Sequence, residues 1–225
     1  MTGLTVTGLT ATGLVVPAYF HPAVRPADWA TLAGAAPRLV VLNIADGPGH
    51  LLDGVFAAAV DRVIAAGVAV AGYVDTDYGR KDARDAVAEL RRYREWYGVD
   101  SVFFDRVASG IEHVARYAAL ADAARAIGSR VVAFNHGTHP AREFAAHCDL
   151  LGTFEGPWPA FRDAEVPSWV HDLPADRFFN LIYAATPTLR RRIAVLAEER
   201  NVGSALCTEG EPPNPWSFLP ADFAT

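Results

Sequence analysis

Eight short runs of apolar, β-branched or aromatic residues recur along the chain, at 14–20, 38–43, 68–74, 101–105, 130–135, 150–155, 178–183 and 204–208. Each is apolar nearly throughout instead of alternating, as a strand covered on both faces must be. Between the runs the period changes. Val87, Leu90, Tyr93 and Tyr97 recur at steps of three or four, as do Ile111, Val114, Ala118 and Ala121, and later Leu189, Ile193 and Leu196. Such segments are helices with one face turned inward. Alternating strands and helices predict an α/β protein with parallel strands: a single (β/α)8 barrel of the TIM type. An open flavodoxin-like sheet with fewer strands is the competing architecture, and eight runs at this spacing favour closure.

The punctuation agrees. Gly67, Gly98, Gly128 and Gly203 each fall after a helical stretch and before a strand, where a left-handed residue ends a helix at little cost. The sixth connection, 156–177, contains Pro157, Pro159, Pro167 and Pro174, so the sixth βα unit is predicted to be irregular, a short helix with a loop. The length of 225 residues sits at the lower limit for a complete barrel, which typically needs about 250, and leaves 14–225 as one domain. Residues 1–13 carry a near repeat of Thr-Gly-Leu-Thr without the positive start and continuous apolar stretch of an export signal, and read as a flexible leader. The expected location is therefore the cytoplasm, unless the start is mis-assigned or export takes an unusual route.

Charge narrows the partners. Lys+Arg number 20 against 26 Asp+Glu, a formal net charge of -6, which supplies no basic field for a nucleic acid or an anionic membrane. Arg190-Arg191-Arg192 lies in an amphipathic segment and reads as a solvated helix face. No uninterrupted apolar stretch approaches the ~18 residues of a membrane span. Cys148 and Cys207 belong to two different apolar runs and read as small buried residues, not as metal ligands or a redox couple.

In parallel barrels the working residues sit at the C-terminal ends of the strands, where the loops converge on one mouth. Reading those ends gives Tyr19 and His21, Asn43 and Asp46, Tyr73 with Asp75 and Asp77, Asp105 and Arg106, Asn135 and His136, Glu155, Tyr183, and Thr208 with Glu209. Carboxylates, amides and aromatic rings suit a carbohydrate polymer or oligosaccharide: rings stack on sugar faces, amides bind hydroxyls, and two acids divide proton donation from charge stabilisation. Phosphate is a poor fit, because Glu209 and Glu211 stand where a barrel phosphate site needs backbone amides.

Asp105 and Glu155, emerging at corresponding points of the fourth and sixth strands, are the candidate catalytic pair. Tyr19, His21, Asn43, Tyr73, Asp75, Arg106, Asn135, His136, Tyr183 and Glu209 are the candidate substrate-binding residues. Structural alternatives exist for each acid: Asp105 could bond the next loop's amides, and Glu155 could pair with Arg106. Asp75 and Asp77 could cap a turn. No cofactor is expected. His136 and His139 have a spacing that could hold a metal beside nearby acids, the basis for a metal-dependent hydrolase or deacetylase as a third reading.

Several blocks in order, Val16-Pro17-Ala18-Tyr19-Phe20, Asn43-Ile44-Ala45-Asp46-Gly47-Pro48-Gly49, Gly72-Tyr73-Val74-Asp75-Thr76-Asp77-Tyr78-Gly79, Trp96-Tyr97-Gly98-Val99-Asp100, Phe103-Phe104-Asp105 and Phe154-Glu155, resemble the spherulin-4-like family. The resemblance implies a (β/α)-barrel glycoside hydrolase similar to enzymes that cleave internal α-1,4 bonds in galactosamine-containing polysaccharides. It maps the family's acids onto Asp105 and Glu155. Two departures stand out. Family members usually read Phe-Phe-Asp-Glu where Arg106 follows Asp105 here, and a proline usually follows the asparagine where this chain has His136.

A guanidinium in place of a carboxylate is expected to ionise Asp105 more readily. That suits Asp105 as nucleophile or oxocarbenium stabiliser and Glu155 as proton donor in a retaining mechanism. The alternative is a carbohydrate-binding barrel whose turnover Arg106 has weakened.

Overall fold

In the computed structural model, which describes residues 11–221 and Phe223, the eight apolar runs are eight strands. They are β1 (Val15–Ala18), β2 (Leu39–Leu42), β3 (Val70–Asp75), β4 (Ser101–Asp105), β5 (Val132–Asn135), β6 (Leu150–Pro157), β7 (Phe178–Tyr183) and β8 (Ser204–Cys207). They pair in parallel and in chain order. Every residue of β1, β2, β5 and β8 is buried, which is why these stretches show no alternation. The seam between the first and last strands is bridged by the Val15 amide donating to Ser204 Oγ at 3.0 Å. The architecture is a (β/α)8 barrel.

The helices are α1 (Pro26–Ala35), α2 (Gly54–Ala65), α3 (Ala83–Tyr97), α4 (Val114–Ala126), α5 (Trp158–Asp163) and α6 (Arg190–Glu199). Asp53 caps α2 by accepting from the Val55 and Phe56 amides, and Asp82 caps α3 through the Arg84 amide. Both satisfy donors that a helix start leaves open. The inward stripe of α3 is Ala86, Leu90, Tyr93 and Tyr97, each large member adding roughly 1.5–3 kcal/mol by burial. Tyr93 lies so close to Gly72 of β3 that a Cβ there would strike its ring, and its hydroxyl donates to the Leu42 carbonyl at 3.0 Å. Glycine at 72 is what lets α3 seat on the barrel.

Four local expectations are corrected. Gly67, Gly98 and Gly128 adopt the left-handed backbone, but Gly203 does not; after α6 that conformation falls on Asn201 at φ 57°. Gly203 is instead required by space, since a Cβ would sit 2.7 Å from the Ala175 carbonyl oxygen. Ile111 is not on the inward face of α4: it lies 56% exposed on a 3-10 turn, Ile111–His113, whose tighter winding breaks the phase. The inward residues of α4 are Tyr117, Leu120, Ala121 and Ala124. The fifth connection carries only the 3-10 turn Arg142–Ala146, so it is irregular like the sixth, where α5 is followed by the 3-10 turns Ser168–Asp172 and Ala175–Arg177. Of the leader expected at 1–13, residues 1–10 lie outside the described residues, and Ala11–Gly13 forms a 3-10 turn. Cys148 and Cys207 are buried. Among the described residues no helix is long and apolar enough to cross a membrane.

Candidate active site

Parallel register brings the strand ends to one level. Asp75 and Asp105, the last residues of β3 and β4, are paired neighbours, and Asn135 ends β5. Asn135 is level with Gly152 of β6, so the strand runs three residues further, past an irregularity at Gly152 and Phe154, before it delivers Glu155.

One amide nitrogen joins the two acids. Asn135 Nδ2 donates to Asp105 Oδ1 at 2.7 Å and to Glu155 Oε2 at 2.6 Å. The Tyr73 hydroxyl donates to Asp105 Oδ2 at 3.0 Å, and Trp216 Nε1 donates to Glu155 Oε1 at 3.0 Å. Each of the four carboxyl oxygens thus has its own fixed donor, which locks both side chains in place. Burial raises the Glu155 pKa, the charge of Asp105 adds to it, and the carboxyl is pushed up to about 7. Burial also raises Asp105, but Asn135, the backbone amide of Arg106 and Tyr73 oppose the rise. A proton shared by the pair therefore resides on Glu155. Burial and the Asp105 charge hold the phenols of Tyr73 and Tyr19 protonated.

Two cavities meet at Glu155. The first, about 410 Å³, is lined by Tyr19, Asn43, Asp46, Tyr73, Asn214 and Trp216 among others. The second, about 490 Å³, is lined by Tyr78, Asp105, Arg106, Ser109, His136 and Thr138, with Asn135 on its floor. The rim is strained: Asp46, Asp77, Tyr78 and Arg106, none of them glycine, have φ of 50°, 46°, 53° and 51°. Non-glycine residues held this way cluster where a site over-determines its geometry.

A family model described as spherulation-specific family 4 matches residues 13–225. The chain belongs to that family. Spherulin-4 of Physarum polycephalum is 27% identical over 179 residues, 76% of this chain and 53% of that protein, so the chain spans about half the length of this curated relative. Among solved structures it is similar to Aspergillus clavatus Sph3, determined in complex with GalNAc, with a TM-score of 0.81, 18% identity, and coverage of 97% of this chain and 96% of the other. A β-mannanase from Alicyclobacillus acidocaldarius aligns with a TM-score of 0.54 and 14% identity over 98% and 92% of the two chains. Deoxyribose phosphate aldolase from Aeropyrum pernix gives 0.54 and 14% over 91% and 88%. A glycosidase and an aldolase on one scaffold mean that these likenesses speak for the barrel.

Within this spherulation-family barrel, Asp105, Glu155, Tyr19, Asn43, Tyr73, Arg106, Asn135 and His136 all line the two cavities. His21, Tyr183 and Glu209 line neither. His21 pairs with Asp53 at 3.3 Å and packs edge-on against Phe56. Glu209 borders a separate cleft with Arg25 and Phe218. Asp75 is set behind Arg106, accepting from its Nη1 at 2.7 Å, while Asp77 accepts from Nη2 at 2.6 Å.

Two expectations about Arg106 are thereby overturned. Its guanidinium does not pair with Glu155, and it does not make Asp105 more acidic: the charge is engaged with Asp75 and Asp77, and burial dominates at Asp105. Asp75 does build a turn, accepting the Asp77 amide at 2.7 Å. His136 is packed on Phe144 with ring centroids 4.6 Å apart, and burial lowers its pKa to about 3. Among the described residues no three His, Cys, Asp or Glu side chains come together as metal ligands.

Sequence reasoning missed Trp216, Asn214, Tyr78, Ser109 and Thr138. Asn214 Nδ2 donates to the Tyr19 carbonyl at 3.0 Å and its Oδ1 accepts the Trp216 amide at 3.1 Å, which pins the segment after β8 across the mouth. The one signal for it was a tryptophan in a proline-rich stretch following the last strand.

Proposed function

We propose that the protein is a glycoside hydrolase that cleaves α-1,4 bonds in a polysaccharide containing galactosamine or N-acetylgalactosamine, by a retaining two-carboxylate mechanism. The observation that carries this reading is the single Asn135 nitrogen shared by Asp105 and Glu155. Two oxygens bonded to one atom are no further apart than the two bond lengths combined. That matches the roughly 5–5.5 Å of retaining pairs and is too close for the water that inverting pairs admit at roughly 6.5–9.5 Å.

Glu155, protonated up to about pH 7, gives its proton to the leaving oxygen. Asp105, held by Asn135 and Tyr73, attacks the anomeric carbon or stabilises its developing positive charge. Glu155, now ionised, then takes a proton from the water that releases the sugar. The GalNAc bound by the similarly folded Sph3 and the family resemblance support the amino-sugar assignment.

The competing reading, a carbohydrate-binding barrel without turnover, rests on Arg106. Its guanidinium is turned to Asp75 and Asp77, leaving the acid pair intact. The test is proton NMR of products from a galactosamine-containing α-1,4 polymer treated with wild type, Asp105→Asn and Glu155→Gln. New reducing ends that form first with retained configuration, and disappear in both variants, are expected. Binding of the polymer without new reducing ends would establish the competing reading instead.

A further inference from the structure

The two cavities that meet at Glu155 differ in charge. Around the first, the ionisable side chains among the described lining residues are Asp46, Glu155, Tyr19 and Tyr73, and both tyrosines stay neutral. Around the second stands one permanent cation, Arg106, beside the acid pair and the neutral His136.

Arg106 is built in. Its left-handed backbone turns its carbonyl to accept from the Tyr78 amide and the Thr76 hydroxyl. Its guanidinium is clamped by Asp75 and Asp77 and lies 5.0 Å from the centre of the Tyr78 ring. The two aspartates do not offset it for an incoming ligand, because their oxygens are already in use. Asp75 Oδ1 accepts the Asp77 amide and Oδ2 accepts Arg106. Asp77 Oδ1 accepts both Arg106 and Arg80, and Oδ2 accepts Arg80. Take Arg106 away and two carboxylates would open toward the cavity.

We propose that the cleft sorts amino sugars by charge: the second cavity takes a unit with no positive charge, the N-acetylated form, and Arg106 bars a free ammonium there, which the first cavity accepts beside Asp46. This rests on the carbohydrate reading above. Ser109, Thr138 and the half-exposed Tyr78 ring are uncharged partners of the kind an acetamido group needs, while two fixed like charges in a partly dry cleft repel strongly. Arg106 is a specificity residue in this account, and it touches the substrate, not the reacting bond.

The test measures binding to the Glu155→Gln protein, in which turnover is suppressed. An α-1,4 N-acetylgalactosamine oligomer and its fully de-N-acetylated counterpart are titrated by calorimetry, with and without Arg106→Gln. Arg106→Gln should raise affinity for the cationic oligomer relative to the acetylated one by about tenfold or more, and high salt should shrink that gain as it screens the charge. Arg106→Lys keeps the charge and should keep the wild-type ratio. It also serves if Arg106→Gln fails to fold, with the salt dependence of the wild-type ratio as the second readout. A ratio unchanged by Arg106→Gln, or a wild-type ratio insensitive to salt, overturns the inference.

The arms separate the two readings. Sorting in binding with no hydrolysis by Glu155-intact protein removes the hydrolase and keeps the sorting. Hydrolysis without sorting removes only the sorting. Binding of neither oligomer removes both.

Discussion

Trp216 donates from its indole nitrogen to Glu155 Oε1 at 3.0 Å, so the segment after the last strand completes the environment of an acid delivered by β6. The bond favours the ionised carboxylate and opposes the upward push of burial and of Asp105. In Trp216→Phe the ring remains but the donor is lost. A hydrogen bond to a charged group is worth about 1.5–3 kcal/mol, and the neutral acid keeps part of it, so the Glu155 pKa should climb by roughly one unit. The alkaline limb of the kcat/KM profile should move up accordingly. A limb that stays in place would show that the indole merely walls the first cavity.

Asn135 has a different task, since it bonds both acids at once. In Asn135→Ala two carboxyls at short range lose the donor between them, and their geometry is no longer fixed. The expected loss is about 100-fold or more in kcat, in the range seen when one preorganised donor is removed, with KM changed little. Steady-state kinetics on the polymer checks this, and a loss confined to KM would reassign Asn135 to substrate binding.

Gly152 should be as intolerant as the residues it faces. A Cβ there would lie 2.5 Å from Asn135 Oδ1 and 2.5 Å from Phe179 Cζ. Gly152→Ala therefore displaces the bridging amide and overpacks the barrel interior, at a stability cost of about 1–3 kcal/mol. Activity should fall along with the melting temperature. The nearby Gly137→Ala serves as a contrast: its Cβ would have 3.7 Å to the nearest atom, but its φ is +65°, so it is strained without striking the amide.

All eight strands were legible because a strand covered on both faces leaves a continuous apolar run, and only the ends shifted, as at β1, where 14–20 narrows to Val15–Ala18. Asp105, Asn135 and Glu155 were legible for a related reason: strand ends in a parallel barrel share one mouth. His21 was not, because the chain turns just past β1, with the Val24 and Arg25 amides both bonding the His21 carbonyl, and the ring swings to Asp53. Trp216 could not be placed, since nothing local says across which strand an irregular proline-rich segment folds. The charge of Arg106 was visible but its partners were not. They sit one strand away on β3 and beyond, and the Asp75 to Asp105 register that brings them near is a property of the assembled sheet.

The raised Glu155 pKa also predicts how stability varies with pH. The folded protein holds this proton to about pH 7, against an ordinary glutamate value of 4.5, so between those values the folded state binds more protons than the unfolded one. Unfolding free energy then falls as pH rises through that window and levels off above it, and Asp105, shifted in the same direction, adds to the slope. Glu155→Gln removes the titrating group. Its amide nitrogen cannot accept from Trp216 or Asn135, so its absolute stability is a poor guide, but the slope is not affected by that. Between pH 5 and pH 8 the wild type should lose roughly 1–3 kcal/mol more than Glu155→Gln, or about 2–4 °C in melting temperature for each kcal/mol at this chain length. Calorimetric melts of both proteins at four pH values across the window measure it. Parallel curves would mean that Glu155 titrates near its ordinary value in the folded protein, and that it could not serve as the proton donor at neutral pH.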